Sequence, residues 1–145
     1  MKAHVGGDVE SSLVHSVIGT AANVADVTQA HELLHGSETV AFGDAGYIGV
    51  ERRAERRQRV EWYVAMKPGK RRALRDTAAG RLRDSIERLK AQVRARGEHA
   101  FRVIKRQFGY LKVRYRGLTK NTAQLHTLFA LANIWMVRRQ LLATG

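Results

Sequence analysis

Residues 94 to 110 constrain the fold more than any other stretch. At 100° per residue, Gly97, Phe101, Ile104 and Phe108 fall on one stripe of a helix that has to pack against a core. Arg94, Glu98, Arg102 and Lys105 fall on the neighbouring stripe, so one carboxylate stands in a row of cations beside a hydrophobic anchor. Two readings follow. Glu98 is bridged at i,i+4 to Arg94 and Arg102 on a solvated face, or it is an acidic metal ligand among phosphate-binding cations. The second reading needs another carboxylate from elsewhere in the chain.

The remaining segments supply the core as alternating strand and helix patterns. Lys2–Val5 and Leu13–Ile18 read as a hairpin around Gly6, Gly7, Asp8, Ser11 and Ser12. Residues 23–35 read as a helix capped by Asn23 or Asp26 and ended by Gly36. Residues 39–42 are a short apolar strand running into Gly43-Asp44-Ala45-Gly46-Tyr47. An aspartate at a strand tip between glycines is where an α/β sheet presents a ligand group, or it is a turn residue capping the next helix.

Residues 49–59 read as a short Arg-rich helix and residues 60–66 as a strand. The strand exits into a basic loop carrying Lys67, Lys70, Arg71 and Arg72, a DNA-backbone contact or a solvated loop. Leu82, Ile86 and Leu89 draw one apolar line on a polar helix that leads into the Glu98 helix. Residues 110–116 interleave cations, among them Arg114 and Arg116, with Tyr110 and Tyr115 in an extended or loop segment. Residues 121–143 form a core-closing helix with Asn121 as its cap. The pattern is an α/β domain with a mixed sheet, and 145 residues suit one domain.

A net charge of +13, with 26 Lys and Arg against 13 acids, favours a polyanionic partner, most simply nucleic acid. The absence of cysteine excludes disulfides, thiolate zinc sites and thiol nucleophiles. No apolar run is long enough to span a bilayer; residues 125–142 come nearest but contain Asn133, Arg138, Arg139 and Gln140. A cytoplasmic chain without a membrane partner is the expectation. His31-Glu-Leu-Leu-His35 matches the HExxH zinc-protease pattern. We set it aside and expect no zinc, because the helix stops at Gly36 and no third ligand follows.

Segments along nearly the whole chain resemble the DDE transposases of bacterial insertion sequences. They are residues 2–6, 13–17, 20–24, 33–36, Gly43-Asp-Ala-Gly-Tyr47, residues 64–71, and Glu98-His followed by Tyr115-Arg-Gly-Leu-Thr-Lys-Asn121. The family's helix signature sets a tyrosine, an arginine, the catalytic glutamate and a lysine at fixed spacing. Arg94, Glu98 and Lys105 stand at those intervals, while Ala91 holds the tyrosine position.

The resemblance implies a ribonuclease-H-like (retroviral-integrase-like) mixed sheet with flanking helices, and metal-dependent cleavage and transfer of DNA strands. Asp44 and Glu98 would be catalytic metal ligands for two Mg²⁺ (or Mn²⁺) ions roughly 3.5–4 Å apart. Arg94, Lys105, Lys67, Lys70, Arg71, Arg72, Arg114 and Arg116 would hold transposon ends and target DNA. The family's first acidic residue lies on the central strand, before the hairpin; Asp8 and Asp26 are the nearest acids and read as turn and helix-start residues.

The expectation is therefore a truncated, inactive catalytic domain over residues 1–145, lacking the first (central) strand. An amino-terminal portion or a second copy would complete it. The alternatives are a non-catalytic DNA-binding remnant or regulator of transposition, and a decayed fragment without a stable fold.

Overall fold

The computed structural model describes residues 1–53 and 60–144. The chain divides into two compact units, Met1–Val24 with Arg96–Gly145, and Ala25–Ala95.

In the first unit, β1 (Lys2–Gly7) and β2 (Val14–Thr20) pair antiparallel, with Val5 opposite Val17 and an irregularity at Gly6/Gly7. Both strands run longer than the alternation predicts. Asp8 holds the turn by accepting the Ser11 N–H at 2.6 Å and the Ser11 hydroxyl at 2.7 Å. Two helices complete the unit: α3 (His99–Arg106) and α4 (Leu118–Ala143).

The core of this unit joins Val14 to Ala100, Val103 and Ile104 of α3 and to Leu125, Phe129 and Ala132 of α4. Phe101 meets Phe129 edge-on with ring centroids 5.0 Å apart, the arrangement the aromatic quadrupole favours. Polar residues of α4 bind the strand backbone directly. Asn133 accepts the Val14 N–H at 2.9 Å and donates to the Val14 carbonyl at 2.7 Å, taking the place of a neighbouring strand. The ring Nε2 of His126 lies 2.8 Å from the Val17 carbonyl. A Cβ at Gly19 would collide with Thr122, so the glycine lets α4 approach the strand.

In the second unit, β3 (Val40–Gly43) and β4 (Glu61–Val64) pair in parallel, Phe42 opposite Tyr63. Ala30, Val50 and Val60 are fully buried there. Tyr47 stacks on Trp62 at 6.0 Å and His31 meets the same indole edge-on at 6.5 Å. A Cβ at Gly43 would stand 2.9 Å from the Cβ of Tyr47, so the glycine lets Tyr47 fold back onto the strand end. After β4 come α1 (Pro68–Arg72) and α2 (Ala78–Gly97).

Several expectations are corrected. The α/β character holds, but the described strands form two separate two-stranded sheets rather than one mixed sheet. Alternation identifies a strand without naming its neighbour. The helix expected over residues 23–35 is a four-residue 3₁₀ turn, Asp26–Gln29. Val24, Val27 and Thr28 are poor helix formers, and the Thr28 hydroxyl donates to the Ala25 carbonyl instead. His31 and His35 therefore do not share a helix face.

The basic stretch after β4 is a helical turn, not a loop; Pro68 begins it, where a missing N–H costs nothing. Of the helix expected over residues 49–59, a 3₁₀ turn Val50–Arg52 is seen, and residues 54–59 lie outside the described residues. The long helix through Glu98 is two helices, α2 ending at Gly97 and α3 beginning at His99, because glycine is a weak helix former. The last helix starts at Leu118 rather than Asn121. Among the described residues, no helix is long and apolar enough to cross a membrane.

Candidate functional site

Asp44 follows β3 directly, in extended conformation, and caps the 3₁₀ turn Ala45–Tyr47. One carboxylate oxygen, Oδ1, accepts the Gly46 N–H at 2.7 Å. The capping and ligand-presenting readings are compatible, since the cap holds the carboxylate in one orientation and the side chain remains exposed.

A cleft of about 370 Å³ opens beside it, lined by Asp44, Met66, Arg71, Glu87, Ala91 and Arg94 among others. Strand tip, α1 and α2 each contribute to the wall. Glu87, Ala91 and Arg94 face it together because they are spaced i, i+4 and i+7 on α2.

The charges of the cleft are arranged by specific partners. Arg71 donates to Asp84 at 2.7 Å, and Arg88 closes on the other Asp84 oxygen at 2.9 Å. The Arg71 hydrogen bond holds the Asp84 carboxyl below its ordinary value. Glu87 is buried and accepts the Met66 N–H and the Lys90 ammonium, each at 2.8 Å. Lys90 also donates to the Val64 carbonyl at 3.0 Å, so the two side chains pin the end of β4 to α2. Burial pushes the Glu87 carboxyl up, but the Lys90 and Met66 hydrogen bonds and the Lys90 and Arg71 charges outweigh it and hold it low.

A second carboxylate stands close to Asp44. A Cβ built on Gly46 would lie 2.7 Å from Asp26 Oδ2 and 2.9 Å from Asp44 Oδ1, so both acids flank this glycine. The Tyr47 phenol is pushed up to about 12 by burial first and then by the charges of Asp26 and Asp44. From the sequence Asp26 is expected as a helix-start residue, and Glu87 has no expected role. Nothing in the spacing of Asp26 and Asp44 brings them together. For Glu87 a signal existed, its i+7 spacing to Arg94.

The other sequence candidates are distributed as follows. Glu98 lies at the joint between α2 and α3, exposed, with φ −73° and ψ −13°, and makes no side-chain capping bond. Lys105 is exposed on α3. Arg94 belongs to the unit of Asp44, Glu98 and Lys105 to the other. Lys67 and Lys70 are exposed at the start of α1, and Arg72 at its end. Arg114 and Arg116 are exposed in the segment before α4.

A family model described as the transposase DDE domain matches residues 1–134, over nine-tenths of the chain. The chain belongs to the DDE transposases. No solved structure matches it. Membership of this family implies an enzyme class that carries out DNA transposition, with DNA as its partner and a divalent metal as the usual cofactor. The donor set suits such an ion: Asp44 offers hard carboxylate oxygen at an exposed, oriented position, with Asp26 adding negative charge nearby. Ala91 lines the cleft with its small side chain.

Proposed function

We propose that this chain carries part of the catalytic apparatus for DNA transposition, and that residues 1–145 form one ribonuclease-H-like catalytic domain. Asp44 and Glu98 would hold divalent cations, Mg²⁺ or Mn²⁺, in the two-ion manner of phosphoryl transfer. When bound, such ions polarise the scissile phosphate and stabilise the leaving oxygen. The chain's own part is to orient and position. The Gly46 N–H fixes the Asp44 carboxylate, the Glu87–Lys90 pair fixes the wall beside it, and Arg94 offers a cation on that wall to a phosphate oxygen. Lys67, Lys70, Arg72, Lys105, Arg114 and Arg116 would carry backbone phosphates, with Arg71 committed first to Asp84.

The observation that carries this reading is the family match together with Asp44 standing at a strand tip on the rim of a cleft that Arg94 also lines. DNA as substrate supports a cytoplasmic location. We assign two carboxylates to the metal set rather than three, so the chain alone is expected to bind DNA and not to cut it; a second copy or a further portion would complete the set. The test incubates the purified chain with Mg²⁺ or Mn²⁺ and its element's end DNA. Salt-sensitive binding without strand cleavage is expected. Cleavage that Asp44→Ala abolishes would refute the claim of inactivity and support the catalytic assignment. Binding that survives both Asp44→Ala and Glu98→Ala with no response to metal would favour the non-catalytic regulator.

A further inference from the structure

Between α3 and α4 the chain runs through Tyr110–Arg116 without regular structure, yet it is anchored at both ends. Tyr110 packs on the core of α3 and α4. At the other end the buried Asn121 accepts the Tyr115 N–H at 3.1 Å and donates to the carbonyls of Tyr115 and Gly117 at 2.7 and 2.6 Å. The backbone at Tyr115 is therefore fixed, and its side chain is not drawn into the core.

What this anchored segment shows to solvent is unusual. Leu111 is 82% exposed, Val113 47% and Tyr115 52%, and the exposed cations Lys112, Arg114 and Arg116 alternate with them. Arg114 spends one donor on the Gly109 carbonyl at 3.3 Å and keeps the rest. The charge around the segment indicates its partner. From His99 to Gly145 the chain has nine Lys and Arg residues (102, 105, 106, 112, 114, 116, 120, 138 and 139) and no Asp or Glu.

Such a surface selects a polyanion. An intact duplex satisfies the cations but keeps its base faces stacked inside, leaving Leu111, Val113 and Tyr115 nothing to cover. Unpaired bases offer both phosphates and open π-faces, and aromatic side chains on a basic track are how proteins hold single strands.

Resting on the reading of this chain as a DNA-acting transposase, we propose that Tyr110–Arg116 is a binding surface for unpaired DNA. Tyr115 stacks on a base, Leu111 and Val113 cover its neighbours, and Lys112, Arg114 and Arg116 take the flanking phosphates. The segment thereby favours DNA ends that are frayed or tailed over closed duplex.

The experiment measures binding of the full chain by fluorescence anisotropy to a short duplex and to the same duplex with a single-stranded tail, at one fixed salt concentration. Stacking of one base is worth about 1–3 kcal/mol, so the tailed DNA is expected to bind about fivefold to about 150-fold tighter. Tyr115→Ala and Tyr115→Leu are expected to erase that preference while duplex binding stays within about twofold, and Tyr115→Trp to keep it. Tyr115→Leu retains bulk, which separates loss of stacking from loss of fold.

Equal binding of the two DNAs by the unmodified chain overturns the inference and leaves the DNA-binding reading standing. So does a tail preference that survives Tyr115→Ala, or duplex binding lost together with it in Tyr115→Leu. No binding to either DNA overturns that reading and this inference together.

Discussion

Removing the Glu87 carboxylate is the sharpest perturbation of the cleft wall. The side chain is 6% exposed and accepts two hydrogen bonds at 2.8 Å, from the Met66 N–H and from Lys90. Each bond involving a charged group is worth about 1.5–3 kcal/mol, and breaking one side of a buried pair costs about 3–5 kcal/mol. Lys90 has little access to water in compensation, with its side chain 17% exposed, and it keeps only the Val64 carbonyl. Glu87→Ala is therefore expected to destabilise by about 3 kcal/mol or more at neutral pH. Glu87→Gln, which still accepts from Met66, is expected to cost about half as much.

Urea melts followed by circular dichroism read the difference. With a slope of about 1–3 kcal/mol per molar, the Glu87→Ala midpoint falls by roughly 1 M or more. The pH dependence has a fixed sign. The folded carboxyl titrates below the ordinary glutamate value of 4.5, so its contribution is present above that value and is lost as pH falls through the lower folded one. The gap between the wild-type chain and Glu87→Ala should therefore close in acid. A change within about 0.5 kcal/mol at pH 7 would show that the pair behaves like a surface ion pair and that the wall is not held this way.

Three further expectations follow from the same geometry. Ultraviolet titration in a background with the other tyrosines replaced by phenylalanine should place Tyr47 at about 12. The phenol stays protonated longer in the folded chain, so this contribution is intact below the ordinary value of 10.0 and lost as pH rises through about 12; Asp26→Asn or Asp44→Asn should lower the midpoint. Gly46→Ala places a Cβ 2.7 Å from Asp26 Oδ2 and 2.9 Å from Asp44 Oδ1, so it should displace the carboxylate and weaken Mn²⁺ binding by about 10–100-fold by calorimetry. Unchanged affinity would remove Asp44 from the ligand set. DNA affinity should fall steeply with salt, and Lys105→Ala should reduce the log–log slope by about 1; Arg71→Ala should instead lower stability, because its guanidinium serves Asp84.

How much of this was legible in the sequence depends on which physical signal each element carries. The strands at residues 2–7, 14–20, 40–43 and 61–64 announce themselves through local apolar and β-branched content, which needs no knowledge of partners. Their pairing into two small sheets depends on contacts that no local pattern encodes. Helix α4 was legible from its apolar stripe, but its start was misplaced because Asn121 spends its side chain on Tyr115 and Gly117, while Gly117, at φ 85°, occupies the cap. The proline at the start of α1 is a legible helix-start signal that the basic-loop expectation leaves unused.

At the site, Asp44 was legible because a strand tip between glycines is a local feature. The approach of Asp26 was not, since it depends on how a non-helical segment folds back. Glu87 was obscured by chemistry: a glutamate on a charged helix is ordinarily solvated, and here it is buried while Leu82 and Leu89 of the same helix are exposed.

The proposed function assigns both Asp44 and Glu98 to metal binding. Mn²⁺ binding to the purified chain, measured by electron paramagnetic resonance for the wild type, Asp44→Asn, Glu98→Gln and the double variant, tests it most directly. If the two carboxylates share an ion, each single substitution weakens binding nearly as much as both together, and the coupling energy is large. Binding that Glu98→Gln leaves unchanged, or losses that simply add, would contradict the claim and separate Glu98 from the site of Asp44.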